Sequence, residues 1–170
     1  MLRRLLAAAT LGLAAAHAGA QSSTLETITA GPFEFPISGT FQIGEENGAY
    51  TLTSADGQRR IVVGFFRNPA APDAAAQVST IESIVRRDWE RFAAEEKGEV
   101  VRAFRRTDLG EGLALFTMAT EFKPAEHVQY YVQIAVTDGP QMAALFFEGF
   151  GSAAAALEAV EPLARAVRRR

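Results

Sequence analysis

The stretch QVSTIESIVRRDWERFAAEEKG, Gln77 to Gly98, divides the chain into two runs of strand-like sequence. Val78, Ile81, Val85, Trp89 and Phe92 recur three and four residues apart, which is one stripe of an amphipathic helix. Ile84 widens the stripe. Arg87 points away from it and Arg91 lies at its far flank. Glu82–Arg86, Arg86–Glu90 and Arg91–Glu95 sit four residues apart and can pair along the surface. Asp73 is placed to cap the start and Gly98 to end the helix. On this reading the arginines form a solvated face, Trp89 anchors a core, and nothing in the helix asks for a ligand.

Upstream the signals are strands and turns. Gln21 to Glu26 is polar and is expected to be frayed or extended. Phe33-Glu34-Phe35-Pro36-Ile37 alternates, but Pro36 demotes it to an edge or a short entry strand. Phe41-Gln42-Ile43 and Tyr50 to Thr53 alternate around Asn47-Gly48, a tight-turn pair. Asp56-Gly57 marks a second hairpin. Ile61 to Phe66 is apolar at both parities, the pattern of a strand covered on both faces. Asn68-Pro69-Ala70-Ala71-Pro72 then breaks the sheet.

Downstream, Val100 to Thr107 is extended, Gly110-Glu111-Gly112 turns, and Leu113 to Phe122 is a long strand. Lys123-Pro124-Ala125-Glu126 is a loop. From His127 the chain alternates. Val128, Tyr130, Val132, Ile134 and Val136 face one way; Gln129, Tyr131, Gln133 and Thr137 face the other. Asp138-Gly139 turns into a final strand, Met142 to Phe147. Ser152 caps a closing helix with Ala156, Leu157, Val160, Leu163, Ala164 and Val167 on its apolar stripe. Pro162 implies a kink or a late start, and Arg168-Arg169-Arg170 suits a helix C-terminus. The fold class is therefore α+β: a mostly antiparallel sheet of about six to seven strands with two main helices, in the order hairpins, helix, meander, helix. The helices can cover the two faces of the sheet or share one.

This order resembles the Mog1/PsbP-like family of small α+β domains. The residues that carry the resemblance are Phe33-Glu34-Phe35-Pro36, Ile61-Val62-Val63-Gly64-Phe65-Phe66 before Asn68-Pro69, the helix ending at Gly98, and the hairpin at Asp138-Gly139. The resemblance implies a non-enzymatic binding or assembly factor and brings no site motif with it.

The first twenty residues, MLRRLLAAATLGLAAAHAGA, have a basic start at Arg3-Arg4, a short apolar run, and small residues at Ala18-Gly19-Ala20. That pattern predicts a signal peptide cleaved before Gln21, leaving a single domain over 21–170. The expected location is the periplasm, or outside the cell, with no stable membrane anchor after cleavage. The chain has no cysteine, so its fold rests on its core. The leader holds two arginines and no acid. Without it the 17 basic residues become 15 against 20 acids, a net charge of −5. That balance argues against a nucleic-acid partner.

His17 leaves with the leader, so His127 is the remaining histidine and a histidine-rich metal site is excluded. Glu45-Glu46-Asn47 lacks the spacing of a calcium loop and reads as a hairpin. No Gly-x-Ser-x-Gly elbow presents a serine to His127, and no Gly-rich phosphate loop is present. Glu126-His127 reads as an exposed strand mouth. A carboxylate pair of the glycosidase kind stays open, with nothing to single out two acids. No cofactor is expected.

Arg102, Arg105 and Arg106, with Lys97, make the densest basic segment, either a docking patch for an acidic partner or the wet face of an edge strand. Phe147, in Leu145-Phe146-Phe147-Glu148-Gly149-Phe150, is a core residue or part of an interface. Arg102, Arg105, Arg106 and Phe147 are the candidate partner-binding positions. The leading expectation is an exported binding or assembly protein that acts through a protein partner. An inhibitor of a toxin enzyme, a small-ligand carrier and a hydrolase are the alternatives.

Overall fold

The dense apolar strand Ile61 to Phe66 is where the two halves of the molecule meet. In the computed structural model it lies within β4 (Arg59–Arg67), which pairs antiparallel with β3 (Ala49–Ser54) on one side and β8 (Gln141–Phe150) on the other. The structure describes residues 21–46, 49–67, 74–123 and 128–170, without the side chains of 21–26, 38, 74 and 75. The proposed leader, the Asn47-Gly48 turn, the Asn68 to Pro72 break, the cap at Asp73 and the Glu126-His127 pair lie outside the described residues.

The other elements are β1 (Gln21–Ala30), β2 (Phe33–Glu46), α1 (Ala74–Glu95), β5 (Glu99–Gly110), β6 (Leu113–Phe122), β7 (Gln129–Thr137), α2 (Ala153–Arg165) and β9 (Arg168–Arg169). The sheet runs β1-β2-β3-β4-β8-β7-β6-β5, with β9 beside β2, and all its pairings are antiparallel. Two four-strand meanders thus join at β4 and β8, with α1 as the long connection. The fold is α+β.

The helices cover opposite faces. Val78, Ile81, Val85, Trp89 and Ala93 of α1 pack with Ala114, Phe116, Met118, Ala135, Met142 and Ala144. Leu157, Ala164 and the following Val167 join Phe33, Phe35, Leu115, Val132, Ile134 and Leu145 on the other face. Full burial of side chains this size contributes about 1.5–3 kcal/mol each, so the periodic stripe decides which way each helix turns. The alternation of β7 holds: Val132, Ile134 and Val136 face α2, and Gln133 and Ala135 face α1. Ile84 does not widen the α1 stripe; it is 39% exposed.

Four features differ from the sequence reading. The described residues form eight strands of six or more residues where about six to seven were expected, because the polar segment Gln21 to Glu26 pairs with β2 and becomes part of β1. Pro36 sits inside a 14-residue strand. It is tolerated because β9 reaches only Phe33 and Glu34 and β3 begins opposite Phe41, so one side of β2 needs no N–H at Pro36. Pro162 lies within α2, which starts on time: Ser152 Oγ accepts from Ala155 N, and the Glu121 carboxylate accepts from Ala153 N at 2.9 Å. Lastly, the terminal arginines do not end a helix. Arg168 and Arg169 form β9, Arg169 lies 3.1 Å from the buried Asp138 carboxylate, and Arg170 pairs with Glu34.

Candidate functional site

α1 packs chiefly over β5 and β6. It leaves the same face of β2, β3, β4 and β8 only partly covered among the described residues. Val62, Phe66 and Phe146 there are half-buried, as are Thr51 and Thr53. Phe146 meets the edge of Trp89 at a centroid distance of 6.4 Å, so the patch begins where the helix stops.

Antiparallel register brings a polar row onto this face. Thr53 stands opposite Arg60, Arg60 opposite Glu148, Glu148 opposite Tyr131, and Tyr131 opposite Thr120. Directly opposed residues share a face, and each rung of the ladder spans about 4.8 Å. Glu148 Oε2 accepts from Arg60 Nη1 at 3.2 Å, and Arg60 Nη2 donates to the Glu46 carboxylate. One guanidinium therefore bridges two carboxylates carried on β2 and β8. The Glu148 side chain is 11% exposed and that of Glu46 is 44% exposed, so the pair has an inner and an outer acid.

Burial raises the pKa of Glu148 above the ordinary carboxylate range, and Arg60 opposes part of that rise. Burial, with the Glu148 charge second, raises that of Tyr131. The Tyr131 hydroxyl accepts from Gln129 Nε2 at 3.2 Å, and its ring lies edge-on to Phe92 and Phe122. In the next row Gln133 lies between Phe146 and Met118. It is fully buried, and neither of its amide atoms has a hydrogen-bond partner among the described residues. Thr120 Oγ1 is likewise buried and unpartnered. Among the described residues no three His, Cys, Asp or Glu side chains gather in a way that could hold a metal ion, and no helix is long and apolar enough to cross a membrane.

The four positions picked from the sequence do not come together. Arg102, Arg105 and Arg106 lie on β5, the edge strand. Arg102 pairs with Glu158 and Arg105 with Glu161, both on α2, each at 3.1 Å. Arg106 turns to the other face and pairs with Glu82 of α1 at 3.1 Å and Asp108 at 2.8 Å. The hydrogen bonds it donates to Asp108 and then to Glu82 hold its guanidinium above its ordinary pKa. The three arginines thus tie the edge strand to both helices. Phe147 faces the α2 side, half-buried between Ile61 and Val132. The residues of the polar row were missed. The Gln129/Tyr131/Gln133 face of β7 was visible in the sequence, but the pairing of Arg60 with Glu148 is a register fact between strands 88 residues apart.

No family model matches the chain, and no curated protein matches it. Among solved structures, one similar chain is a protein from Bacteroides thetaiotaomicron VPI-5482 crystallised at 1.50 Å resolution. The two share 9% identity at a TM-score of 0.53, over 87% of this chain and 49% of that one. This chain spans about half the length of that protein, and the likeness concerns the fold alone.

Proposed function

We propose that this is an exported, non-enzymatic binding or assembly protein, and that its protein partner docks on the open half of the sheet beside α1. The observation that carries the reading is the composition of that face. Half-buried Val62 and Phe146 lie in the row next to Arg60 and Glu148 and beside Thr51 of β3, with Phe66 further along β4 on the same face. An apolar centre with a polar, charged rim is the anatomy of a protein interface. The outer acid, Glu46, keeps lone pairs open to a donor from the partner. The bridge itself carries a net negative charge, as the chain does, which disfavours a phosphate backbone.

A hydrolase reading has one observation in its favour: a carboxylic acid with a raised pKa and a second, exposed carboxylate lie on one face. Arg60 weighs against it, because the guanidinium engages both acids and leaves no free acid–base pair around a substrate.

The test uses the tagged chain from Gln21 to Arg170 in the periplasmic fraction of its source organism. Thr51→Lys puts a long charged side chain in the middle of the patch. Ser83→Lys alters the exposed side of α1 and serves as the control. One stoichiometric partner, retained by the control and lost with Thr51→Lys, is expected. A partner that both variants retain equally would sink the proposed surface.

A further inference from the structure

The two edges of the sheet are built in opposite ways. β5 closes one end and β1 the other. The β5–β6 register slips three times: Val100/Arg102 against Thr120/Ala119, Arg102/Arg105 against Ala119/Thr117, and Asp108/Gly110 against Ala114/Leu113. Each time the extra residue falls in β5, the outer strand. β5 also carries the exposed Arg102, Arg105 and Arg106. Bulges and long cations on an outer strand are devices that stop another chain from pairing with it.

β1 has none of this. It is ten residues long, QSSTLETITA, with no Lys, Arg or Pro and a single charge at Glu26. Its register with β2 slips once, between Leu25/Thr27 and Gly39/Pro36. There the extra residue belongs to β2, where Ile37 and Ser38 stand against Glu26 alone. The irregularity is carried by the inner strand and the outer one stays regular. Thr27 and Thr29 are exposed while Ile28 and Ala30 are buried, and no described strand pairs with the outer side of β1. A regular, nearly uncharged outer strand presents a row of free N–H and C=O groups as a pairing template.

We propose that β1 pairs antiparallel with β1 of a second copy of this chain about a two-fold axis. A second copy brings the same open edge, so one isologous contact covers both at once. Thr27 and Thr29, exposed on one face of the strand, are of the kind that pairs favourably across such a seam. The two edges left at the ends of the joined sheet are then both β5, bulged and arginine-bearing. Assembly therefore stops at two copies and does not grow into a fibre.

The experiment measures the mass in solution of the chain from Gln21 to Arg170, which holds every described element of the fold, from micromolar to millimolar concentration. A dimer is expected. Its β1 amides are expected to be protected from hydrogen exchange when concentrated and to lose that protection on dilution. Thr27→Lys/Thr29→Lys brings four like charges to the seam at exposed positions and is expected to weaken the dimer at least about tenfold with an unchanged circular dichroism spectrum. A monomer at every concentration would overturn the proposal, as would a dimer whose β1 amides exchange freely. If the double variant fails to fold, the exchange of the unaltered chain decides the matter.

Discussion

Arg60 on β4 and Glu148 on β8 face each other across the seam of the two meanders, Nη1 3.2 Å from Oε2, with the carboxylate mostly withdrawn from water. Burial dominates this contact: the folded state holds the Glu148 proton more tightly than the unfolded chain does. By linkage, the stability Glu148 contributes is fully present below its unfolded pKa and is lost as pH rises through its folded value. Glu148→Gln removes that dependence and leaves Arg60 its bond to Glu46. Thermal unfolding of both proteins between about pH 4 and pH 7 should show the variant gaining on the parent as pH rises. A difference between the two that stays constant, or that moves in the parent's favour as pH rises, would contradict the assignment.

Gln133 is fully buried between Phe146 and Met118 with both amide atoms unpartnered among the described residues. An unsatisfied buried polar group costs about 1–3 kcal/mol, and an apolar group of the same shape removes that cost. Gln133→Met is therefore expected to stabilise the protein, read as a higher denaturant midpoint at unchanged slope. A loss of stability would mean that the amide is satisfied in solution.

Trp89 is 1% exposed and packs against Phe104 at 5.7 Å and Phe146 at 6.4 Å. Trp89→Ala is expected to cost about 3–5 kcal/mol in chemical denaturation followed by circular dichroism. A cost below about 1 kcal/mol would contradict its role as the anchor of α1.

Arg105 and Glu161 are joined at 3.1 Å, with the arginine side chain 56% exposed. Solvent screens such a pair, and a double-mutant cycle with Arg105→Ala and Glu161→Ala should return a coupling of about 0.2–1 kcal/mol. A much larger coupling would make the tie between β5 and α2 a structural necessity.

The fold was legible where periodicity is strong. The stripe from Val78 to Phe92 and the alternation from Tyr130 to Val136 each fix an element and its buried face, because burial is the largest local term. Ser152 was readable as a cap and Asp138-Gly139 as a turn, since each depends on a few adjacent residues. β1 was legible only in part: Gln21 to Glu26 read as frayed or extended, and with little apolar pattern its pairing with β2 could not be seen in it. The same holds for the candidate site. Arg60, Glu46 and Glu148 belong to three strands, and nothing local in the sequence states their register. The arginines of β5 were conspicuous as a cluster, yet alternation and bulges send Arg102 and Arg105 to one helix and Arg106 to the other.

Site-specific photo-cross-linking in living cells reads out the proposed seating of a protein partner on the open sheet face. A photoreactive residue placed at Thr51 should capture one dominant protein, identified by mass spectrometry, and the same residue at Ser83 should not. Capture of no protein at Thr51, or of the same protein with equal yield at both sites, would contradict the claim.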